Sequence, residues 1–468
     1  MTTATVVGSG PNGLAAAIRL AQAGVSVTVV EAADVVGGGA RTSELTLPGV
    51  LHDDCSTAMP GAVASPFFRS LDLERHGLRW LHHDITVAHP LDSGTALVRR
   101  DLDRTAAGLG SDGGTWRRLF EPLAADADAV FDTVFRPVLS VPRHPVALAR
   151  VGLRSAAPAT LLARLFRTPT GAAAFGGIAA HLIGDLRAPL SSSVATMLTT
   201  ALHAHGWPFP AGGAGSLTAA LVAEFTELGG RIETGRRVKS VDELGTELVL
   251  LTVPPRAALA LVPHVPVGVR RAWRRFRPGP GAYKLDLAVA GDVPWRDPDI
   301  GRAGVVHLGG TIAEIARAEA DIVRGRMPER PFTLVTQPHV VDPSRSANGV
   351  NPLWVYAHVP NGWPGDETER VLGMLEEQAP GLRDRIVGMH VRGPAALEEH
   401  NAAYLGGDIG GGAVTVRQIL ARPRAGERGY ASGVRGVYLA GASTSPAGGV
   451  HGMCGVNAAE LALRDLGR

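Results

Sequence analysis

The chain has 468 residues, of which 45% are hydrophobic and 19% are charged, and its formal net charge at pH 7 is +2. Such a composition is ordinary for a globular protein, and the nearly balanced charge gives no sign of a nucleic-acid partner. Because single domains usually hold roughly 100 to 200 residues, the length predicts two domains, each with its own core.

Cysteine is rare in this sequence. Cys55 and Cys454 form no CxxC pair, so the sequence offers neither a disulfide framework nor a cysteine-based zinc cluster. His203 and His205 lack a carboxylate or cysteine at ligand spacing, and we predict no metal. No uncharged apolar run reaches the roughly 18 residues of a membrane span, and the N-terminus lacks the features of a signal peptide. We expect a cytoplasmic protein with two small, buried thiols.

The segment TATVVGSGPNGLAAAIRLAQAGVSVTVVEA, residues 3–32, has the pattern of a strand, a helix and a second strand. Apolar runs suit buried parallel strands, and Gly24 is placed to end the helix. Gly8, Gly10 and Gly13 form GxGxxG at the first strand-to-helix turn, where bare backbone can approach a pyrophosphate. Glu31 ends the second strand at about the spacing expected for an acid that binds a ribose hydroxyl.

A second glycine turn favours one nucleotide over another. Gly37, Gly38 and Gly39 are followed closely by Arg41. Such a turn supplies further backbone donors and a cation for a diphosphate that extends beyond the first loop. The sequence therefore favours FAD over NAD as the cofactor.

These motifs, the segment HDDCS at residues 52–56 and the glycine-rich C-terminal segment at residues 436–466 resemble the phytoene desaturase-like branch of the flavin-dependent amine oxidase superfamily. The resemblance spans nearly the whole chain. It implies an α/β fold with a Rossmann-type, glutathione-reductase-like FAD-binding domain and a mixed α+β substrate domain. It also implies that the last helix points its N-terminus at the isoalloxazine, where a helix dipole stabilises negative charge on reduced flavin.

The resemblance and the motifs together give a set of predicted cofactor-binding residues. They are Gly8, Gly10, Pro11, Asn12, Gly13, Glu31, Ala32, Gly38, Gly39, Arg41, Thr42, Val238, Gly441, Ala442, Gly449, Val450 and His451. The predicted FAD-binding domain is discontinuous and comprises residues 1–85, 206–265 and 400–468. The substrate domain, which includes a helical cap, comprises residues 86–205 and 266–399.

The chain between the two motif regions gives a coarser pattern. Residues 113–204 are mostly helical by pattern, with a proline-rich break at 137–145. Strands are expected around Arg231 and Val238 and within 281–289 and 332–359. Residues 148–184 are apolar but rich in arginine, which suits either peripheral contact with an anionic membrane or a helical cap with solvated arginines.

Three residues are candidates for the chemistry. Lys284 alternates onto the same strand face as Asp286. The resemblance implies a lysine that holds a water near flavin N5, and the alternative is a surface lysine paired with Asp286. His451 lies in the C-terminal flavin turn, and the resemblance places His52 close to it. Either imidazole is a candidate acid or base, and a structural hydrogen-bonding role is the alternative.

The sequence predicts an FAD-dependent oxidoreductase that desaturates a C–C or C–N bond of a mainly apolar small molecule by hydride transfer to flavin. No second GxGxxG lies in a strand-helix-strand context, so the electrons are expected to come from the substrate and to leave to oxygen or a quinone. One alternative is an amine oxidase that uses oxygen. Another is a non-catalytic binding protein of the GDP-dissociation-inhibitor kind, which shares the architecture.

Overall fold

The computed structural model describes residues 2–137 and 139–468. The strands are β1 (Thr3–Val7), β2 (Ser26–Val30), β3 (Thr42–Ser43), β4 (His52–Asp53), β5 (Trp80–Leu81), β6 (Ile85–Leu91), β7 (Gly94–Val98), β8 (Phe209–Pro210), β9 (Arg231–Glu233), β10 (Leu248–Leu251), β11 (Gly281–Ala290), β12 (Ala303–Leu308), β13 (Thr333–Thr336), β14 (Val350–Val359), β15 (Ile386–Arg392) and β16 (Val437–Leu439).

The α-helices are α1 (Pro11–Gln22), α2 (Pro60–Ala64), α3 (Pro66–Ser70), α4 (Leu102–Gly108), α5 (Gly113–Ala124), α6 (Ala127–Val134), α7 (Pro145–Ser155), α8 (Ala159–Leu162), α9 (Pro169–Ala180), α10 (Ser193–Ala204), α11 (Ala214–Glu227), α12 (Pro255–Leu261), α13 (Val267–Arg275), α14 (Ile312–Val323), α15 (Thr368–Gln378), α16 (Pro394–His400), α17 (Val416–Leu420) and α18 (Met453–Asp465).

A parallel sheet with strand order β16-β10-β1-β2-β9 carries the N-terminal motif. The predicted strand-helix-strand unit is confirmed as β1, α1 and β2. Helix α1 ends where Gly24 adopts a φ of +76°, and the N–H of Val25 donates to the carbonyl of Leu20. That pattern is a Schellman motif, which requires the left-handed conformation that glycine adopts without strain.

The second large sheet is mixed and has the strand order β15-β11-β14-β13-β12-β6-β7. Its strands alternate, so side chains two apart share a face. Lys284 pairs across β11 and β14 with Tyr356, and Asp286 pairs with Trp354. Leu285, Leu287 and neighbouring apolar residues fill a core on the opposite face. One face of this sheet is therefore mainly apolar, whereas the other carries ionisable side chains.

The helical region between residues 113 and 204 is confirmed as α5 to α10. The predicted break at 137–145 separates α6 from α7, and its residue 138 lies outside the described residues. The prediction of a strand around Val238 was wrong. Only Arg231–Glu233 pairs with β2, and Val238 lies in the loop that follows. The boundaries assigned to the two domains remain a prediction.

Within the described residues, no single helix is long and apolar enough to cross a membrane. Helix α7 and the residues Ala159–Leu165 pass the same length and composition test only as a pair, and the two are bent by 88°. This finding gives no clear membrane span.

Candidate functional site

One cavity of about 1300 Å³ connects the parallel sheet with the ionisable face of the mixed sheet. On one side it is lined by the glycine turns of both chain ends. On the other it reaches Val305, Leu334, Trp354 and Tyr356, which stand on strands β12, β13 and β14. The cavity thus has a backbone-rich half and a half built from side chains.

The first glycine turn leaves no room for a side chain at Gly8 or Gly13. Gly8 has a φ of +102°, and a Cβ on Gly13 would lie 2.0 Å from the carbonyl oxygen of Gly8. Gly10, Pro11, Asn12 and Gly13 line the cavity at the N-terminus of α1. Pro11 has no N–H, but the N–H groups of Gly10, Asn12 and Gly13 have no partner among the described residues, and together with the helix dipole they make this end of the helix suited to a phosphate.

Glu31 lies at the tip of β2 and lines the cavity together with Ala32. Its Oε2 accepts hydrogen bonds from the backbone N–H and the hydroxyl of Ser9, at 2.9 and 2.6 Å. Its Oε1 accepts a bond from the N–H of Ala33 at 2.9 Å. The carboxylate is therefore held in place by the glycine turn itself, at the position predicted for a ribose-binding acid.

The second glycine turn lies directly against the first. A Cβ on Gly38 would lie 3.0 Å from the Cα of Gly10, and both residues line the cavity. Gly39 is covered by Tyr404, whose hydroxyl oxygen would lie 1.9 Å from an added Cβ. Arg41 lines the cavity, and its Nε is buried without a hydrogen-bond partner among the described residues. An unpaired buried guanidinium nitrogen fits an anionic ligand that would complete its hydrogen bonding.

Thr42 and Val238 are predicted cofactor residues whose positions in the structure differ from the prediction. Thr42 does not line the cavity; its hydroxyl donates to Asp53 at 2.8 Å and accepts from the N–H of Gly215 at 3.0 Å. The residue thus fixes the turn that carries Arg41. Val238 does line the cavity, although it lies in a loop.

The C-terminal turn completes this half of the cavity. Gly441, Ala442, Gly449, Val450 and His451 all line it, as the sequence predicts. Helix α18 begins two residues after His451 and packs on α1. A Cβ on Gly455 would lie 1.8 Å from the carbonyl oxygen of Asn12, which sets how closely the two helices approach. Both helix N-termini therefore lie near one another at the glycine turns.

His451 is fully engaged within its own turn. Its Nδ1 accepts a hydrogen bond from the N–H of Met453, so Nε2 carries the proton and donates to the carbonyl of Ala447, both at 3.0 Å. Burial lowers the pKa of His451 to about 4. An imidazole with both nitrogens occupied holds the turn together, which agrees with the structural alternative for this residue.

Lys284 and His52 meet at Asp286. The ammonium of Lys284 is buried and donates to Asp286, and Nδ1 of His52 lies 3.6 Å from the other oxygen of that carboxylate. Burial alone would raise the pKa of Asp286, but the charge of Lys284 and contacts with His390 and His52 keep it below its ordinary value. The pairing of Lys284 with Asp286 is thus confirmed, while its location at the surface was wrong.

Neither of these two candidates lines the cavity. Lys284 approaches it through Trp354, whose ring centroid is 5.5 Å from Nζ. Nε2 of His52 is 2.8 Å from the hydroxyl of Thr46, and burial lowers the pKa of His52 to about 4. The contacts of His451 are with other residues, so the structure brings His52 together with Lys284 instead of with His451.

The two cysteines are free and buried, as expected. Burial raises the pKa of both thiols, that of Cys454 to about 11. Because the thiolate is the reactive form, such thiols are inert.

The side-chain half of the cavity contains residues that sequence reasoning missed. His181 and Trp207 lie in the segments that follow α9 and α10, whereas Trp354 and Tyr356 lie on β14, so the four residues meet only in the folded chain. The rings of Trp354 and Tyr356 are perpendicular neighbours, with centroids 5.1 Å apart. Their alternation on β14 was the available signal, but the sequence did not show which face of that strand meets the cavity.

Comparisons with known proteins agree with this arrangement. Residues 12–462 match the family described as flavin containing amine oxidoreductase. The rat pyridine nucleotide-disulfide oxidoreductase domain-containing protein 2 is 24% identical over 99% of this chain and 93% of its own length. A lycopene-forming phytoene desaturase from a Paracoccus species is 24% identical over 99% of this chain and 98% of its own. The solved structure of cyclohexylamine oxidase from Brevibacterium oxydans matches with a TM-score of 0.61 at 15% identity, covering both chains completely.

Proposed function

We propose that this chain, which belongs to the flavin-containing amine oxidoreductase family and is an FAD-dependent oxidoreductase, desaturates a C–C or C–N bond of a mainly apolar small molecule. Membership of this family overturns the alternative of a non-catalytic binding protein of the GDP-dissociation-inhibitor kind. The observation that carries the proposal is the continuous cavity, which runs from the glycine turns to a chamber with Trp207, Val305, Leu334 and Trp354 in its wall. Large apolar side chains with few polar groups suit an apolar ligand.

The residues present fit FAD. The bare backbones of Gly10 and Gly38 face each other, the N–H groups at the start of α1 are free, and Arg41 has an unpaired nitrogen for a diphosphate. Glu31 offers a carboxylate for the ribose. When bound, flavin supplies the hydride acceptor. The protein binds and orients both molecules and excludes water from the chamber.

The first experiment is the visible spectrum of the purified protein, followed by anaerobic mixing with apolar candidate substrates. We expect flavin bands that bleach when a substrate is oxidised, with FAD released on denaturation. A protein that carries FAD but is bleached only by polar substrates would contradict the proposed substrate class. A protein that neither carries FAD nor takes it up would contradict the cofactor itself.

Oxidation of an amine by oxygen is the second candidate. It is favoured by the aromatic pair Trp354 and Tyr356 in the chamber, because aromatic faces attract cationic amines. Hydrogen peroxide formed during turnover under air, with primary or secondary amines as substrates, would favour this candidate. Turnover that needs an added quinone would favour desaturation coupled to another acceptor.

We also propose that the cap rests on a membrane surface from which an apolar substrate is taken. Val141 is 83% exposed and Leu153 is 80% exposed, and Val141 also lines the cavity. Arg164 is exposed on the segment that follows α7. Apolar side chains beside arginines suit the interface of an anionic membrane. Sedimentation with phosphatidylglycerol vesicles should carry the protein down, and Leu153→Ser with Val141→Ser should reduce it; no sedimentation of the unaltered protein would contradict the proposal.

A further inference from the structure

A buried cluster of histidines lies behind the chamber wall, apart from the residues that fit FAD. His181 lines the cavity, and its Nε2 is 2.9 Å from Nε2 of His307. Tyr356 also lines the cavity, and its hydroxyl is 3.5 Å from Nε2 of His358. Nδ1 of His358 is 2.6 Å from the carboxylate of Glu319, and both of these side chains are completely buried. Two cavity-facing residues are thus each held by a second residue behind them.

The protonation of the first pair follows from burial. The lowered pKa values of His181 and His307, which result chiefly from burial, make both rings neutral at pH 7. Nδ1 of His307 is buried and has no hydrogen-bond partner in the part of the chain that the structure describes. A buried N–H without an acceptor is rarer than a buried lone pair, so the proton of His307 is on Nε2 and is donated to His181. His181 then carries its own proton on Nδ1, which has no partner among the described residues and is a donor for the cavity.

The pair formed by Glu319 and His358 makes the hydroxyl of Tyr356 a hydrogen-bond donor for the cavity. A net charge on the buried Glu319 and His358 would be costly, so the pair is neutral overall. It is either a carboxylate with an imidazolium or a carboxylic acid with an imidazole. In the second state the acid proton is on Oε1, the oxygen 2.6 Å from Nδ1 of His358, because Oε2 of Glu319 is buried with no partner among the described residues. Nε2 of His358 therefore carries a proton in both states and donates it to the hydroxyl oxygen of Tyr356. The proton of Tyr356 is then free to point into the cavity.

We infer that His181 and Tyr356 form a two-donor subsite that binds the neutral carbonyl oxygen of the substrate. This inference rests on the proposed function and names the substrate class within it: an apolar ketone, ester or amide. A neutral oxygen is favoured over a carboxylate because His181 packs on Trp207 and on the neutral His307, which in turn packs on Phe332, and burying an anion without a cation is costly. His358 and Glu319 act as positioning residues that orient the hydroxyl of Tyr356.

The test uses the FAD-loaded protein and three probes of one shape: cyclooctanone, methylidenecyclooctane and cyclooctanecarboxylate. Binding is followed by the perturbation of the visible flavin spectrum, and the carbonyl stretch of carbon-13-labelled cyclooctanone is followed by infrared difference spectroscopy. We expect cyclooctanone to bind more tightly than the other two probes, with its stretch shifted to lower wavenumber. Tyr356→Phe and His181→Phe should each weaken ketone binding roughly fivefold to tenfold, as loss of one hydrogen bond does, and leave the alkene unchanged.

Two further variants separate positioning from packing. His358→Phe should reduce the infrared shift as Tyr356→Phe does, and His358→Gln, whose amide can donate to the hydroxyl, should restore much of it. Tyr283→Phe is the matched control, because its hydroxyl donates to Asp366 on the other side of the same sheet and the ketone should bind unchanged. FAD content verifies that each variant is folded.

The outcomes separate this inference from the proposed function. Equal binding of ketone and alkene, or tighter binding of the carboxylate, would overturn the two-donor subsite while the apolar chamber stands. A protein that carries FAD but binds none of the three probes would contradict both. Unchanged ketone affinity and stretch in the Tyr356→Phe and His181→Phe variants would also overturn the subsite.

Discussion

The two halves of the cavity differ in which part of the chain forms them: backbone in one half and side chains in the other. On the FAD side, Gly8, Gly10, Gly13 and Gly38 present backbone, and the contacts are fixed by how closely main chains approach. On the substrate side, the same cavity is backed by ionisable side chains that are nearly or completely buried, among them His89, His307 and Lys284 with Asp286. The comparison shows that one half depends on the absence of side chains, whereas the other depends on their protonation and pairing. The two halves should therefore fail under different perturbations.

Acid should produce the largest effect, and it should act through the buried histidines. Burial lowers the pKa of His83 and His89 to about 4 and that of His181 to about 3, from an unfolded value of 6.5. Between these values the unfolded chain binds more protons than the folded one, so stability is lost as the pH falls below about 6.5 and continues to fall to about pH 4. Each group contributes on the order of 3 kcal/mol, so several together exceed the usual stability of a protein.

The measurement is urea unfolding between pH 8 and pH 4.5. His89→Gln should flatten the loss of stability in this range, because one titrating group is removed, while His144→Gln at an exposed site should leave the profile unchanged. A stability that is constant down to pH 4.5 would show that these imidazoles are not buried as described.

Lys284→Met should give the next largest effect. The substitution leaves the carboxylate of Asp286 buried without its main partner, which costs roughly 3 to 5 kcal/mol of unfolding free energy. The double variant Lys284→Met with Asp286→Leu removes both charges and should recover much of this loss. Unfolding in urea measures both, and a single variant as stable as the unaltered protein would refute the role of this buried pair.

Gly13→Ala tests the backbone half. The new Cβ would lie 2.0 Å from the carbonyl oxygen of Gly8, so the turn must shift. We expect the free energy of unfolding to fall by about 1 to 3 kcal/mol and most of the bound FAD to be lost. Gly373→Ala is the matched control, since a Cβ there meets nothing within 4 Å and helix α15 should gain up to about 1 kcal/mol. FAD content and thermal unfolding measure the two outcomes. Equal FAD content in both variants would contradict the tight turn.

Glu31→Gln should give the smallest effect and sharpen the comparison. The carboxylate of Glu31 accepts two hydrogen bonds from Ser9 of the first glycine turn and one from the N–H of Ala33. Replacing the carboxylate by an amide weakens those bonds and any bond to a ribose hydroxyl, so FAD affinity should fall roughly tenfold with little change in stability. Equilibrium dialysis of FAD measures the change. An affinity that is the same in the Glu31→Gln variant would exclude this residue from the ribose site.

Local sequence determined the backbone half. The glycine spacing, the apolar strands on either side and Glu31 lie within residues 3–32, and a turn of that kind has one tight geometry that only glycine fits. The C-terminal turn was predicted in part: the five predicted residues line the cavity, together with Ser443, Pro446, Ala447 and Gly448, which were not predicted. Val238 and Thr42 show the limits of the prediction. A loop replaced the expected strand at Val238, and Thr42 supports the turn from behind instead of lining the cavity.

Only the tertiary structure decided the side-chain half. Alternation along β11 and β14 indicated which residues share a face, such as Lys284 with Asp286, but it did not indicate which face is covered. His181 follows the end of α9, Glu319 lies in α14, and His307 and His358 lie on β12 and β14, and nothing in their local sequence brings these residues together. Whether an imidazole is neutral depends on what packs around it, because burial sets the cost of its charge. The sequence by itself therefore determined the glycine turns whose residues fit FAD, whereas packing between distant elements determined what the cavity offers to a substrate.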